Sequence, residues 1–152
     1  MDQENPFQAP AAELRIAPTV DQNLRLYSVA AIGLSTFLGT AIAGAYFISR
    51  NLKALGREAE VRKAWTMGIG VFLAMTLAGF FLPDNVPAVV FILPQIYGMN
   101  AYARQLFGPQ VVDHKANGGN FVSLWPVAGI SLLFCLALAA VVFAIALLIG
   151  LE

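Results

Sequence analysis

The sequence predicts an all-α integral membrane protein, a four-helix bundle within one bilayer. Of its 152 residues, 59% are hydrophobic and 12% are charged, against about 25% charged in an ordinary soluble domain. Four apolar runs contain no Asp, Glu, Lys, Arg or His, at about residues 26–48, 65–82, 87–103 and 123–149. Because a bilayer core requires roughly 20 apolar residues per helix, each run predicts a membrane span.

The charge is concentrated in one connecting segment, residues 49–63. Seven of the eighteen charged residues lie there. This pattern predicts a turn outside the membrane, between the first and second spans. The basic residues of the turn are predicted to orient the protein and to face lipid headgroups. They are Arg50, Lys53, Arg57, Arg62 and Lys63.

The first span is predicted to belong to a helix that begins at Thr19 and stops at Gly56. Thr19 is a capping residue and Gln22 completes a capping box, while a glycine after the last turn is typical of a helix end. Residues 1–18 contain three prolines and few apolar side chains. This predicts a flexible tail, followed by a single transmembrane domain over residues 19–152.

The later spans differ in regularity. The third, residues 87–103, is short, and Pro94 predicts a kink in it. Arg104 is expected to close that helix, and residues 105–115 to form a separate interfacial segment. Ser123 is predicted to cap the fourth span.

Positive charge predicts the orientation of the chain. Four spans place both termini on one side of the membrane. The loops 49–63 and 104–121 together hold seven Lys and Arg residues, and the other side holds only Arg15 and Arg25. This distribution predicts that the two loops are cytoplasmic and both termini outside. A cytoplasmic N-terminus is the alternative, because a 25-residue tail would otherwise cross without a signal peptide.

Small residues recur every fourth position in the first two spans. The first ladder is Ala31, Ser35, Gly39 and Ala43, and the second is Thr66, Gly70, Ala74 and Ala78. Such ladders let helix backbones approach closely where lipid provides no hydrophobic drive for pairing. They predict that these two faces meet each other. The alternative is that one ladder faces a second copy or another membrane protein.

Gln95 and Asn100 are the polar candidates within the third span. A polar group beside the Pro94 kink could line a small cavity of a transporter or channel. The competing interpretation is that Gln95 hydrogen-bonds a neighbouring helix or the carbonyl that Pro94 frees. No ionisable residue lies in any span, which counts against an ion-driven carrier.

The sequence contains no catalytic constellation, metal-binding motif or cofactor motif. His114 stands in a polar segment without a second ligand and is predicted to be solvated. Cys135 is the single cysteine and is predicted to be a small packing residue. A net charge of zero gives no electrostatic footprint for nucleic acid. These observations predict a non-enzymatic protein whose partners are the lipid bilayer and another membrane protein or a second copy of itself.

The motif NPFQAP at residues 5–10 and the segment FLGTAIAGAYFISRNLKALG at residues 37–56 resemble a group of small bacterial membrane proteins. Members of that group have four predicted helices and no assigned activity. The resemblance implies a location in the bacterial inner membrane and carries over no functional residues. The sequence predicts a structural or accessory component that acts through helix packing. The alternative is a small transporter or channel with its polar site at Gln95 and Asn100.

Overall fold

A computed structural model describes residues 24–83 and 85–150. As the apolar runs predict, these residues form an all-α arrangement of four long helical segments. The segments are α1 (Val29–Ala54), α2 (Val61–Phe81), α3 (Val89–Ala116) and α4 (Leu124–Ile149). By length and composition, three helices are able to cross a membrane: Val29–Ala54, Glu58–Phe81 and Leu124–Ile149.

Helix α1 does not run in one direction. Tyr27 N donates to Asn51 Oδ1, and Asn51 Nδ2 donates to the Tyr27 carbonyl, both at 2.7 Å. These residues are 24 positions apart, which a straight helix would separate by about 36 Å. A Cβ at Gly44 would collide with the Thr36 hydroxyl, another contact that a straight helix forbids. The segment is therefore a helical hairpin with two antiparallel arms.

The reversal of the hairpin occurs at Gly39 and Thr40. Both residues leave helical geometry, Gly39 at φ −127°, ψ 19° and Thr40 at φ 68°, ψ 177°. The first arm covers residues 29–38 and the second covers residues 41–54. We call the reversal the tip of the hairpin, and the place where Tyr27 meets Asn51 its base.

The prediction of one continuous helix through residues 26–48 is wrong. The apolar run is long enough, but its backbone reverses near the middle. The start of the helix also differs. Residues 24–28 are not helical, and the Ser28 hydroxyl caps α1 by accepting from Ala31 N at 3.1 Å. Thr19 and Gln22 lie outside the described residues.

The hairpin is the centre of the described molecule. Of the twelve buried apolar residues in the core cluster, seven belong to α1, so the other helices pack around it. Helices α2, α3 and α4 each contact α1, and α2 also meets α3. Within the part of the chain that the structure describes, α4 packs against no helix except α1.

Helix α3 is longer than the sequence predicts. It continues past Arg104 to Ala116, but a kink at Phe107 divides it into two helical stretches, so most of the predicted segment 105–115 lies in the second stretch. Backbone angles stay helical through Pro94, and the irregular residue is Phe107, at φ −144°, ψ 19°. Phe107 lies two residues before Pro109, whose missing N–H and ring disturb the preceding turn.

The segment between α1 and α2 forms two helix ends rather than a loose loop. Gly56 has a φ of +70° directly after the last turn of α1, which confirms the predicted stop. A 3₁₀ turn, Glu58–Glu60, then leads into α2. The predicted cap of α4 is also confirmed, since Ser123 Oγ accepts from Trp125 N at 3.4 Å.

Candidate functional site at the hairpin tip

The tip of the hairpin holds a strained backbone. Thr40 combines a positive φ with an extended ψ, a region that is essentially restricted to glycine. Such a conformation costs on the order of 1–3 kcal/mol and persists only where the surroundings enforce it. Outliers of this kind concentrate at functional sites, which is why we treat the tip as the candidate site.

Gln95 of α3 satisfies the backbone at the tip. Its Oε1 accepts from Ala41 N at 3.3 Å, and its Nε2 donates to the Phe91 carbonyl at 3.1 Å. The Thr40 hydroxyl accepts from Ile42 N at 3.4 Å. The first amide groups of a helix have no partner within the helix, so Gln95 and Thr40 together cap the second arm.

These bonds show which groups Gln95 contacts in the described part of the chain. The residue bonds a neighbouring helical element, as one of its two interpretations proposed. The carbonyl that it contacts is that of Phe91, its own i−4 neighbour, rather than the one that Pro94 frees. Within this site Gln95 acts as a clamp between α3 and the hairpin.

Asn100 lies away from the tip. Five residues separate it from Gln95, about 7.5 Å along the axis of α3. Its amide packs against Gly33 of the first arm, where a Cβ would be 2.8 Å from Nδ2. Among the described residues, its buried Oδ1 has no hydrogen-bond partner. Both predicted polar residues lie on α3, but Gln95 contacts the second arm of the hairpin and Asn100 contacts the first arm.

Helix α4 closes over the tip. A Cβ at Gly39 would lie 2.5 Å from the Ser131 carbonyl oxygen, so glycine permits this close approach. Beyond the contact is a cavity of about 200 Å³, with Thr40 and Ile42 on one side and Phe134 and Leu138 on the other. Its walls are apolar apart from Thr40, so it favours an apolar occupant over an ion.

The two small-residue ladders have different surroundings. The whole first ladder, Ala31, Ser35, Gly39 and Ala43, is buried. Three residues of the second ladder, Thr66, Gly70 and Ala74, are exposed, and Ala78 is half-buried. A Cβ at Gly70 would have nothing within 4 Å. The two ladders do not meet in the structure.

Helix α2 contacts the hairpin through a different pair of small residues. Ala64 and Gly68 are its buried positions. A Cβ at Gly68 would collide with the Ala45 Cβ and lie 2.8 Å from the Ala41 carbonyl oxygen. The reversal of α1 explains the difference. Helix α2 packs against the second arm, which begins at Ala41, rather than against a helix that continues through residues 26–48. The exposed second ladder is therefore compatible with the alternative prediction, contact with a second copy or another membrane protein.

The charged turn carries one ion pair and several exposed cations. Arg57 pairs with Glu60, with Nε 2.7 Å from Oε1. This hydrogen bond is the main reason that the pKa of Glu60 lies below its usual value. Arg57 also donates to the Leu106 carbonyl, which joins the turn to α3. The other predicted basic residues, Arg50, Lys53, Arg62 and Lys63, are exposed.

Arg25 lies beside the end of α1, close to Arg50 and Lys53. An open cleft of about 550 Å³ at the base of the hairpin is lined by Arg25, Arg50, Lys53, Tyr27, Ala54 and Val122. The predicted topology placed Arg25 across the membrane from the turn. Only the hairpin brings it beside the end of α1. We call the surface formed by Arg25, Arg50 and Lys53 the basic cleft.

His114 and Cys135 both differ from their predicted environments. His114 is 2% exposed and lies in the last turn of α3. Its Nε2 is 3.2 Å from the Asn120 carbonyl oxygen, and its ring meets Phe121 edge-on. It is a buried residue that closes the turn before α4. The Cys135 side chain is exposed on α4 and does not pack in the core.

Within the described ranges, no group of three or more His, Cys, Asp or Glu residues is arranged to hold a metal ion. Comparisons with protein-family models, curated proteins and solved structures find no match to this chain.

Proposed function

We propose that this chain is a multipass protein of the bacterial inner membrane, with three crossings and one re-entrant hairpin. The arms of the hairpin contain ten and fourteen residues, about 15 Å and 21 Å of helix. Neither arm spans a hydrocarbon core of about 30 Å. Residues 29–54 have the length and composition of a span, but as a hairpin they enter and leave on one face. We propose that α2, α4 and the apolar part of α3, within the run 87–103, cross.

The distribution of charge supports this arrangement. With a re-entrant α1, the N-terminal segment and the loops 49–63 and 104–121 share one side. Every Lys and Arg then falls on that side: Arg15, Arg25, Arg50, Lys53, Arg57, Arg62, Lys63, Arg104 and Lys115. The opposite side, with the turn 82–88 and the C-terminus, has Asp84 and Glu152 and no basic residue. The re-entrant arrangement places nine Lys and Arg residues on one side and none on the other, whereas four spans would place seven on one side and two on the other. The re-entrant arrangement therefore gives the stronger positive-inside bias.

Reporter fusions test the topology. We expect a reporter at the N-terminus and one after Lys63 to be cytoplasmic, and one at the C-terminus to be outside. An N-terminal reporter outside the cell would show that α1 crosses the membrane. That result would eliminate the re-entrant hairpin.

Our proposed function is that of a non-enzymatic structural or accessory component that acts through helix packing. The observation that carries it is the exposed face of α2. Thr66, Gly70 and Ala74 form a smooth stripe on which another helix could pack closely, while α1 uses the other face of the same helix. We propose that this stripe binds a second membrane protein or a second copy of the chain.

A pair of glycine substitutions tests this role. Gly70→Leu fills the stripe, and Gly129→Leu adds the same bulk on α4, where a Cβ also has nothing within 4 Å. In pull-downs from mild detergent, we expect Gly70→Leu to lose a stoichiometric partner that the wild type and Gly129→Leu retain. A wild-type chain that purifies as a clean monomer with no partner would contradict the proposal.

A small transporter or channel is the second candidate, favoured by the strained Thr40 and the Gln95 clamp. In many transporters the ends of broken helices bind the substrate or the coupling ion. Here the chain reconstituted alone should move a solute, and Gln95→Leu should abolish that flux. If Gln95→Leu instead leaves partner binding intact and no flux is found for the wild type, the accessory role stands.

A further inference from the structure

The basic cleft brings Arg25 close to Arg50 and Lys53, which lie more than 20 residues later in the sequence. Arg25 precedes the hairpin, whereas Arg50 and Lys53 lie in the last turns of its second arm. All three side chains are exposed. In the described part of the chain, the one ion pair is that between Arg57 and Glu60. The cleft therefore concentrates positive charge that no described carboxylate neutralises.

The backbone beneath the cleft is held rigidly. Asn51 makes two hydrogen bonds to the Tyr27 backbone. Val122 N donates to the Leu26 carbonyl at 3.0 Å, which joins the same segment to the start of α4. The Tyr27 ring packs against the Phe47 ring at a tilt of 59°, with centroids 4.8 Å apart. These contacts fix the position of Arg25, although that residue lies outside any helix.

The end of the α1 helix explains only part of this charge. A cation in the last turn compensates the negative end of a helix dipole, which accounts for Lys53. It does not account for Arg25, which the hairpin brings to the same place from 28 residues earlier in the chain.

We infer that the basic cleft binds the phosphate headgroup of an anionic phospholipid. This inference depends on the membrane insertion proposed above but not on the partner role of α2. At the base of the hairpin, the cleft lies where the apolar arms end and the charged turn begins, the depth of a headgroup. Its walls also include Ala54 and Val122, which suit the glycerol and upper acyl region. Basic pockets between helices on the cytoplasmic side are a known means of recognising such lipids.

Native mass spectrometry of the full chain in detergent tests the site. The probes are phosphatidylglycerol, phosphatidylcholine and inorganic phosphate. We expect the wild type to retain phosphatidylglycerol about tenfold better than phosphatidylcholine, because the cations of the cleft attract the net negative headgroup and phosphatidylcholine has no net charge. The double variant Arg25→Gln/Arg50→Gln should lose that preference.

The matched control is Arg62→Gln/Lys63→Gln. It removes two positive charges, as the first double variant does. Both residues are exposed and lie in the charged turn 49–63, but neither lines the cleft. We expect it to keep the preference for phosphatidylglycerol. Equal losses in both double variants would reveal a diffuse surface effect and overturn the site, as would no loss in either.

Competition with inorganic phosphate distinguishes a site for a lipid headgroup from a site for a free phosphate ion. If millimolar phosphate displaces phosphatidylglycerol, the cleft is a site for a free anion and the lipid assignment is wrong. A failure of the lipid site would leave the reporter topology unaffected, so it can be distinguished from a failure of the proposed membrane insertion.

Discussion

The half of the molecule that surrounds the hairpin differs from the half beyond its tip. Around the hairpin, α2 contributes buried Gly68, α3 buried Met99 and α4 buried Ser131. Beyond the tip, no described residue of 69–83, 85–94 or 132–150 is buried.

Under the proposed membrane insertion, the difference indicates which medium stabilises each half. Near the base, helices pack on a protein core that α1 provides. Far from it, α1 has turned back, and the apolar side chains of α2 and α4 have too few protein neighbours to bury them fully. Helix α4, with a mean hydropathy of 3.2, is suited to lipid there, because a bilayer solvates apolar surface that water would not.

The largest effect should come from filling the contact between α2 and the hairpin. Gly68→Leu forces bulk against Ala45 and the Ala41 carbonyl, and such overpacking typically costs about 1–3 kcal/mol. Gly70→Leu, two residues further along the same helix, should change stability by less than about 0.5 kcal/mol. Unfolding of the purified chain in a denaturing-detergent titration measures both. Equal losses would mean that the packed half extends past Gly68.

Removal of the clamp should have a similar or slightly smaller effect. Gln95→Leu leaves the Ala41 amide without its acceptor at 3.3 Å, and an unsatisfied buried group costs about 1–3 kcal/mol. Gln105→Leu is the control, because Gln105 is exposed on the same helix. The same detergent titration compares them. A clamp variant as stable as its control would show that the tip does not depend on α3.

Relief of strain at the tip should change stability in the opposite direction. Thr40→Gly removes the penalty of a positive φ, and we expect a gain of about 1 kcal/mol after the small loss of the hydroxyl cap. Thr76→Gly, in the regular exposed part of α2, should instead lose about 0.3 kcal/mol, the difference in helix propensity between threonine and glycine. Thermal melting followed by circular dichroism would show the two midpoints moving apart. A destabilised Thr40→Gly chain would contradict the left-handed tip.

The smallest effect concerns the charged turn. Because Arg57 lowers the pKa of Glu60, the ionised carboxylate stabilises the folded state above the unfolded pKa. That contribution disappears as the pH falls through the lower folded pKa. We expect a slight decrease in melting temperature across this acidic range, which Glu60→Gln abolishes and Glu58→Gln preserves. Identical pH profiles for the two variants would show that the Arg57–Glu60 ion pair does not contribute to the pH dependence of stability.

The sequence alone determined the all-α class, the charged turn and two helix boundaries. Apolar runs and charge clusters are properties of local composition, and the stop at Gly56 and the cap at Ser123 depend on the residues next to them. The burial of the first ladder also agrees with its pattern of small residues. These features require no knowledge of distant contacts.

Only the tertiary structure decided the reversal of α1 and everything that follows from it. Gly39 and Thr40 lie in an unbroken apolar run, where local pattern favours a continuous helix. The strained turn is maintained by Gln95, 54 residues from Ala41, and by Asn51 at the base. Contacts at such separations leave no local signal. They determine which face of α2 is packed, and they bring Arg25 into the basic cleft.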